Sequence, residues 1–189
     1  MKALSVGPIV PGWTPRPFPV LPKEGLIGRY VTLVTLDLSV HGQDLFEELS
    51  EREADGGERI WTYMNYYPYP NRANFDSEMA RLLKMPDTHF TAILAPSGKD
   101  KKMKAVGIAA MIRIDPPNGV LEMGYLVYSP SSLQRTAGST ELMYLLIQHA
   151  FNLGYRRVEW KCDKLNEPSN KAALRFGYTF EGIFRQAVV

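Results

Sequence analysis

The 189-residue chain carries 22 Lys and Arg against 20 Asp and Glu, a net charge of +2, with 45% hydrophobic and 22% charged residues. That length suits one domain, or one domain plus an arm, and can bury a core without disulfides or metal. The balanced charge excludes the clustered basic face that a nucleic-acid partner needs, and a single cysteine, Cys162, excludes an intrachain disulfide and argues against a cysteine metal site.

Residues 8–22 hold Pro8, Pro11, Pro15, Pro17, Pro19 and Pro22. Proline fixes φ and removes a backbone donor, so this stretch is neither helix nor central strand. Residues 1–24 therefore read as a proline-rich arm, either poorly ordered or docked through Trp13 and Phe18, ahead of a single domain over 25–189. A proline-rich ligand for another domain is the remaining reading of the arm. No apolar run approaches the ~18 residues of a membrane span. The start MKALSVGPIVPGW lacks the extended apolar stretch of a secretory signal. A soluble cytoplasmic protein without a membrane partner is expected.

Residues 30–36 (YVTLVTL) alternate and are β-branched, which predicts a strand. Leu38, Leu45, Phe46 and Leu49 recur at helical spacing over 38–52, and Asp55-Gly56-Gly57-Glu58 breaks the helix. The aromatic stretch 60–70 (IWTYMNYYPYP) fits neither period and reads as a short helical turn followed by a loop. A helix over 73–85 and a strand over 89–94 follow, then a charged turn over 97–102. Strands at 105–114 and 120–128 are joined through Asp115-Pro116-Pro117-Asn118-Gly119, a strong hairpin signal. A helix over 140–153 is apolar almost all round, which predicts burial, and Gly154 stops it. Residues 157–162 read as a strand that buries Cys162, residues 168–176 as a helix opened by Pro168, and Tyr178 onward as a last strand. Antiparallel strands followed by alternating strand and helix make a mixed α/β (α+β) sheet with helices on both faces.

Chemistry concentrates in 120–177. The loop SSLQRTAGST feeds a helix start, where the first amides lack intrahelical partners and the helix dipole favours negative charge. Thr136, Ser139 and Thr140 add hydroxyls and Arg135 adds a cation, a set suited to a pyrophosphate. The plainer alternative is that Ser139 or Thr140 only caps the helix. The loop matches neither GxxxxGK[ST] nor GxGxxG, which speaks against nucleotide hydrolysis and dinucleotide binding.

The segments LEMGYLVYSPSSLQRTAGSTEL, RRVEWKC and NEPSNKAALRFGYTFEGIFR resemble the GNAT superfamily of acetyl-CoA-dependent N-acetyltransferases, most closely its ribosomal-protein N-terminal acetyltransferase branch. The family's loop reads Gln/Arg-x-x-Gly-x-Gly/Ala. Gln134 fills its first slot, while Ala137 and Ser139 replace its two glycine slots. The resemblance implies a mostly antiparallel twisted sheet with a V-shaped split between two parallel strands, 120–128 and 157–162. It also implies acetyl-CoA as co-substrate, with pantetheine in the split and pyrophosphate on the amides of Arg135, Thr136, Ala137, Gly138, Ser139 and Thr140. No metal is implied.

An ammonium must lose a proton before it attacks a thioester, and Glu122 lies where the family often places its base. The plain alternatives are that Glu122 pairs with Arg113 or Lys104, or faces solvent. Backbone N–H near Leu126 or Val127 would hold the oxyanion. Many relatives protonate the thiolate with a tyrosine on the helix after the asparagine, but SNKAALRF has none. Ser169 is the hydroxyl available there, and Asn166 resembles the pantetheine-contacting residue. The aromatics Trp61, Tyr63 and Tyr66, with Tyr67 and Tyr69, fall where relatives build the acceptor pocket, and aromatic rings suit an amine. Packing of that loop on the sheet is the other reading.

The expected activity is acetyl transfer to a primary amine, a protein N-terminus or a small amine, by direct attack in a ternary complex. The alternative is a non-catalytic or truncated GNAT-fold CoA-binding or interaction module. Relatives continue with a last strand beside 157–162, whereas this sequence stops at Val189. That predicts an open edge covered by a second chain (a homodimer) or by the proline arm, or else a truncated product.

Overall fold

The computed structural model describes residues 10–50, 59–64 and 69–187. Its elements are β1 (Leu26–Ile27), β2 (Thr32–Thr35), α1 (Leu38–Leu49), a 3-10 turn (Arg59–Trp61), α2 (Arg72–Leu82), β3 (His89–Ser97), β4 (Lys102–Asp115), β5 (Val120–Tyr128), α3 (Ala137–Asn152), β6 (Arg157–Trp160) and α4 (Glu167–Arg175). The strands form one six-stranded sheet in sequence order. Every neighbouring pair is antiparallel except β5 and β6, which are parallel. A parallel pair needs a crossover connection, and α3 supplies it.

Period-2 alternation along β4 divides the core into two layers. Ile108 and Ala110 pack with Leu45 and Leu49 of α1 and Phe75, Met79 and Leu82 of α2. Ala109 and Met111 face the other way, onto Leu142, Met143, Leu146 and Ala150 of α3. Helices therefore cover both faces of the sheet.

The hairpin at 115–119 forms as its residues predict. Asp115 Oδ1 accepts the Asn118 amide at 3.0 Å, and Gly119 adopts φ 62°. A Cβ on Gly119 would lie 2.5 Å from the Trp13 ring, so glycine here serves both the turn and the arm.

Residues 10–24 lie against the domain. Trp13 Nε1 donates to Pro117 O at 2.7 Å and Tyr155 Oη to Pro17 O at 3.0 Å. The Arg16 amide donates to Pro116 O at 2.9 Å. Leu21 enters the α3-side core. The expected apolar anchor Phe18 is exposed instead, because the chain turns Pro19 and Leu21 inward. His149 is half-buried, with Nε2 3.0 Å from Val20 O. The arm meets the β4–β5 hairpin and the turn after α3, so among the described residues it does not cover the outer edge of β6.

Four expectations are corrected. Residues 178–187 contain no strand. This segment runs beside β6 through side chains, with Tyr178 edge-on to Trp160 at 5.6 Å and Arg157 Nη1 donating to Glu181 Oε1 at 2.7 Å. Its Phe180, Ile183 and Phe184 are exposed, since no neighbouring strand among the described residues offers them a ladder or a core. Helix α3 starts at Ala137 rather than 140, with extended Thr136 as its N-cap residue. It is not buried all round: Tyr144 and Phe151 lie on an outer face that no layer covers. Cys162 is exposed, because β6 ends at Trp160 and the chain has left the sheet two residues later.

The split arises from one irregularity. The parallel ladder runs from Val120 with Arg157 to Met123 with Trp160 and then stops. In β5 the register with β4 skips Tyr125 and Leu126, with Tyr125 at φ 50°. A bulge bends its strand and increases local twist. Beyond it, β5 continues with β4 alone and diverges from β6.

Candidate active site

The loop before α3 is fixed mostly by its own backbone. The Ser129 amide donates to Val106 O at 2.8 Å, and the Leu133 and Gln134 amides donate to Ser129 O at 3.1 and 3.2 Å. Thr136 donates to Leu133 O through its amide (3.3 Å) and its hydroxyl (2.8 Å). The Ser139 hydroxyl turns back to Thr136 O at 2.8 Å. Both hydroxyls thus spend their one hydrogen inside the loop, and Thr140 alone keeps an exposed one. Arg135 is exposed and left-handed, at φ 59°. A Cβ at Gly138 would lie 2.9 Å from Leu133 Cδ1 and 3.1 Å from Val31 Cγ1, so a larger residue there would have to push those side chains aside.

The helix starts differ. Asp37, Asn71 and Asn166 each accept a first-turn amide of α1, α2 and α4 through a side-chain oxygen. Thr136 caps nothing, so the first amides of α3 from Ala137 to Ser139 have no side-chain acceptor. Three such donors at a positive dipole end are suited to an anion. From there a groove of about 440 Å³ runs along α3 to the end of α4, past Thr140, Tyr144, Arg175 and Phe176.

On the walls of the split, Val127 is buried and pairs with Ile108, while Leu126 falls in the skipped part of the ladder. Glu122 is 4% exposed. Its Oε2 accepts from Lys161 Nζ at 2.7 Å and from Arg113 Nη1. Arg113 is the cross-strand partner weighed from sequence. The other candidate, Lys104, instead approaches Glu47 at 3.7 Å. No described residue pairs with Glu122 Oε1. Burial works to lower the Lys161 pKa, but Glu122 and Glu159 outweigh it and hold the ammonium above its ordinary value.

At the other wall, Asn166 Oδ1 accepts the Ser169 amide at 3.2 Å. Trp160 Nε1 donates to Ser169 Oγ at 3.0 Å. The serine oxygen is engaged as an acceptor, so its own hydrogen remains to be donated elsewhere. Of the aromatics, Trp61 is buried and donates to Leu49 O at 3.3 Å, with its ring edge-on to Tyr69 at 5.7 Å. Tyr63 is exposed and its hydroxyl donates to Leu165 O at 2.8 Å, joining the aromatic loop to the segment before α4. Tyr66 and Tyr67 lie outside the described residues.

Sequence reasoning missed Lys161 as the partner of Glu122 and Trp160 as the donor to Ser169. Neither has a local signal: the first follows from the parallel pairing of β5 and β6, the second from the packing of α4 on β6. Among the described residues no group of three or more His, Cys, Asp or Glu side chains is placed to hold a metal, and no helix is long and apolar enough to cross a membrane.

A split sheet beside a helix start with open amides suits a protein that binds an extended anionic ligand. The model of the acetyltransferase (GNAT) domain matches residues 43–179, and the chain belongs to that family. A GCN5-related N-acetyltransferase structure from Brucella melitensis is 39% identical, covering 95% of this chain and 77% of that one, with a TM-score of 0.83. A structure from Chromobacterium violaceum ATCC 12472 assigned to the GNAT family is 32% identical, covering 100% and 89%, also with a TM-score of 0.83. The ribosomal-protein-serine acetyltransferase of Escherichia coli (strain K12) is 34% identical over 88 residues, 46% of this chain and 48% of that protein. The chain thus spans about half the length of the curated relative it matches.

Proposed function

We propose that this protein transfers an acetyl group from acetyl-CoA to a primary amine, on a protein N-terminus or a small molecule, by direct attack in a ternary complex. The observation that carries this reading is the start of α3, the one α-helix among the described residues without a side-chain cap, next to the divergence of β5 and β6. The amides of Ala137, Gly138 and Ser139 receive the pyrophosphate, with Thr140, Gln134 and the Arg135 cation at its flank. Pantetheine lies along Leu126 and Val127, and Asn166 contacts it. The neutral amine forms a bond to the thioester carbonyl carbon as its proton passes to Glu122 Oε1. The oxyanion is held by backbone N–H near Leu126 or Val127. The C–S bond then breaks, the thiolate leaves, and Ser169 steadies it by donating a hydrogen bond. Tyr63 flanks the amine, and the buried Trp61 supports its loop.

One observation favours a second reading, a non-catalytic CoA-binding module. Glu122 is buried and already held by two cations, Arg113 and Lys161. Calorimetric titration of acetyl-CoA, with free CoA and ATP as controls, tests the shared part, for which saturable binding specific to CoA forms is expected. Turnover of labelled acetyl-CoA over an amine panel separates the two. Silence across the panel with coenzyme bound, and affinity unchanged in Glu122→Gln, establishes the second reading.

A further inference from the structure

A cluster outside the split joins three elements. Glu48, in the last turn of α1, accepts from Ser97 at the end of β3 through Oε1 and from Ser132 Oγ through Oε2 at 3.1 Å. The two serine oxygens lie 2.9 Å apart. Two hydroxyl hydrogens serve three contacts, and a carboxylate takes both because charge-assisted hydrogen bonds are the stronger ones. No cation pairs with Glu48 among the described residues, so its charge is spent on these hydroxyls. Ser97 is buried. Helix α1 is itself fixed to β4, with Asp44 Oδ2 accepting the Ala105 amide at 3.3 Å.

Ser132 belongs to the loop that presents the open start of α3. Its amide donates to Ser129 Oγ at 3.3 Å, and the carbonyl of the same Ser129 takes the Leu133 and Gln134 amides. The hydroxyl of Ser132 thus links the turn that aims the anion-binding amides to a fixed point on α1 and β3. A carboxylate in contact with a pyrophosphate would repel it, so Glu48 serves the site through Ser132 rather than by contact.

We infer that Glu48 is a positioning residue for coenzyme binding: it anchors the loop before α3 through Ser132, so that the helix-start amides are preset for the pyrophosphate of a CoA ester. The inference deepens the acetyl-CoA reading and rests on it.

Acetyl-CoA is titrated by calorimetry into the full chain, into Glu48→Ala, Ser132→Ala and the double variant, and into Glu48→Gln. The thermal midpoint of each is measured without coenzyme. Each single alanine variant is expected to weaken binding about three- to tenfold, the net scale of one ordinary hydrogen bond. The double variant is expected to be no weaker than the weaker single. Glu48→Gln restores most of the affinity, because its amide still accepts from Ser132. The coenzyme-free midpoint of Ser132→Ala stays at the wild-type value. Unchanged affinity in Ser132→Ala, two losses that multiply in the double variant, or an affinity loss that follows a fall in midpoint each overturns the inference. Absence of binding by the wild-type chain overturns the coenzyme reading beneath it, and the two failures are thereby distinguished.

Discussion

Helices α3 and α4 follow the two strands that form the split, and they begin in opposite ways. α4 is closed by its own sequence: Asn166 accepts the Ser169 amide, and Pro168 occupies a position that needs no donor. α3 is left open: Thr136 turns its hydroxyl back to Leu133 O and caps nothing. A helix start without a cap forgoes about 1 kcal/mol. The chain bears that loss where an anion would make it good and avoids it where only stability is at stake. The same contrast runs along β5, whose first half is paired on both sides and whose second half keeps a neighbour on one side only.

The largest effect that tests this contrast is chemical. Glu122→Gln should lower turnover about 10²- to 10⁴-fold, the usual scale of a general base. Acetyl-CoA affinity, which belongs to the open helix start, should not change. Steady-state rates set beside calorimetry on one preparation check both halves.

Closing the open start should invert its properties. Thr136→Asp supplies the missing acceptor and places a negative charge where the pyrophosphate would lie. Acetyl-CoA affinity should fall about tenfold or more, while the coenzyme-free protein gains about 0.5–1 kcal/mol. Denaturant titration without coenzyme and calorimetry with it report the two signs. A loss of stability together with affinity would break the comparison.

Opening the closed start should cost stability first. Asn166→Ala removes the α4 cap and should destabilise by about 1 kcal/mol. Coenzyme affinity should also weaken if Asn166 reaches pantetheine. Equilibrium unfolding of the variant measures the first effect and titration the second.

The smallest effect lies at the second residue of the TEL triplet, deeper in α3. Glu141 accepts the amides of Arg29, Tyr30 and Val31 at 2.7, 2.6 and 3.0 Å, tying the β1–β2 turn to the helix. Burial pushes its carboxyl up, but the Tyr30, Arg29 and Val31 amides outweigh burial and hold its pKa below the ordinary 4.5. A group whose folded pKa is depressed stabilises fully above its unfolded pKa. That contribution is lost as pH falls through the folded value. Stability should therefore drop on acidification below about pH 4.5, and Glu141→Gln should flatten that limb. Unfolding midpoints taken between neutral pH and pH 3 check the sign.

Much of the fold was legible in the residues. The 115–119 hairpin, the strands on either side of it and helices α1, α2 and α4 follow from period and turn chemistry, which act over a few positions. The loop from Gln134 to Thr140 could be picked out by its small residues and the helix behind it. Errors collected where a local pattern needed a distant partner. An apolar run predicted a fully buried α3, yet Tyr144 and Phe151 are exposed. Alternating apolar residues after Tyr178 looked like a strand, yet no ladder receives them.

What the sequence by itself determined is most of the elements, helices on both faces of a mixed sheet, and the family, because periodicity and motif are written along the chain. Tertiary structure decided who meets whom. The parallel register of β5 and β6 put Lys161 on Glu122 and, with α4 returning over the strand, Trp160 on Ser169. The docking of α1 put Glu48 under Ser132, and the arm found its place between the hairpin and α3. These contacts join residues 9 to 138 positions apart. They are settled by burial and by the pairing of polar groups across elements, which no short window of sequence contains.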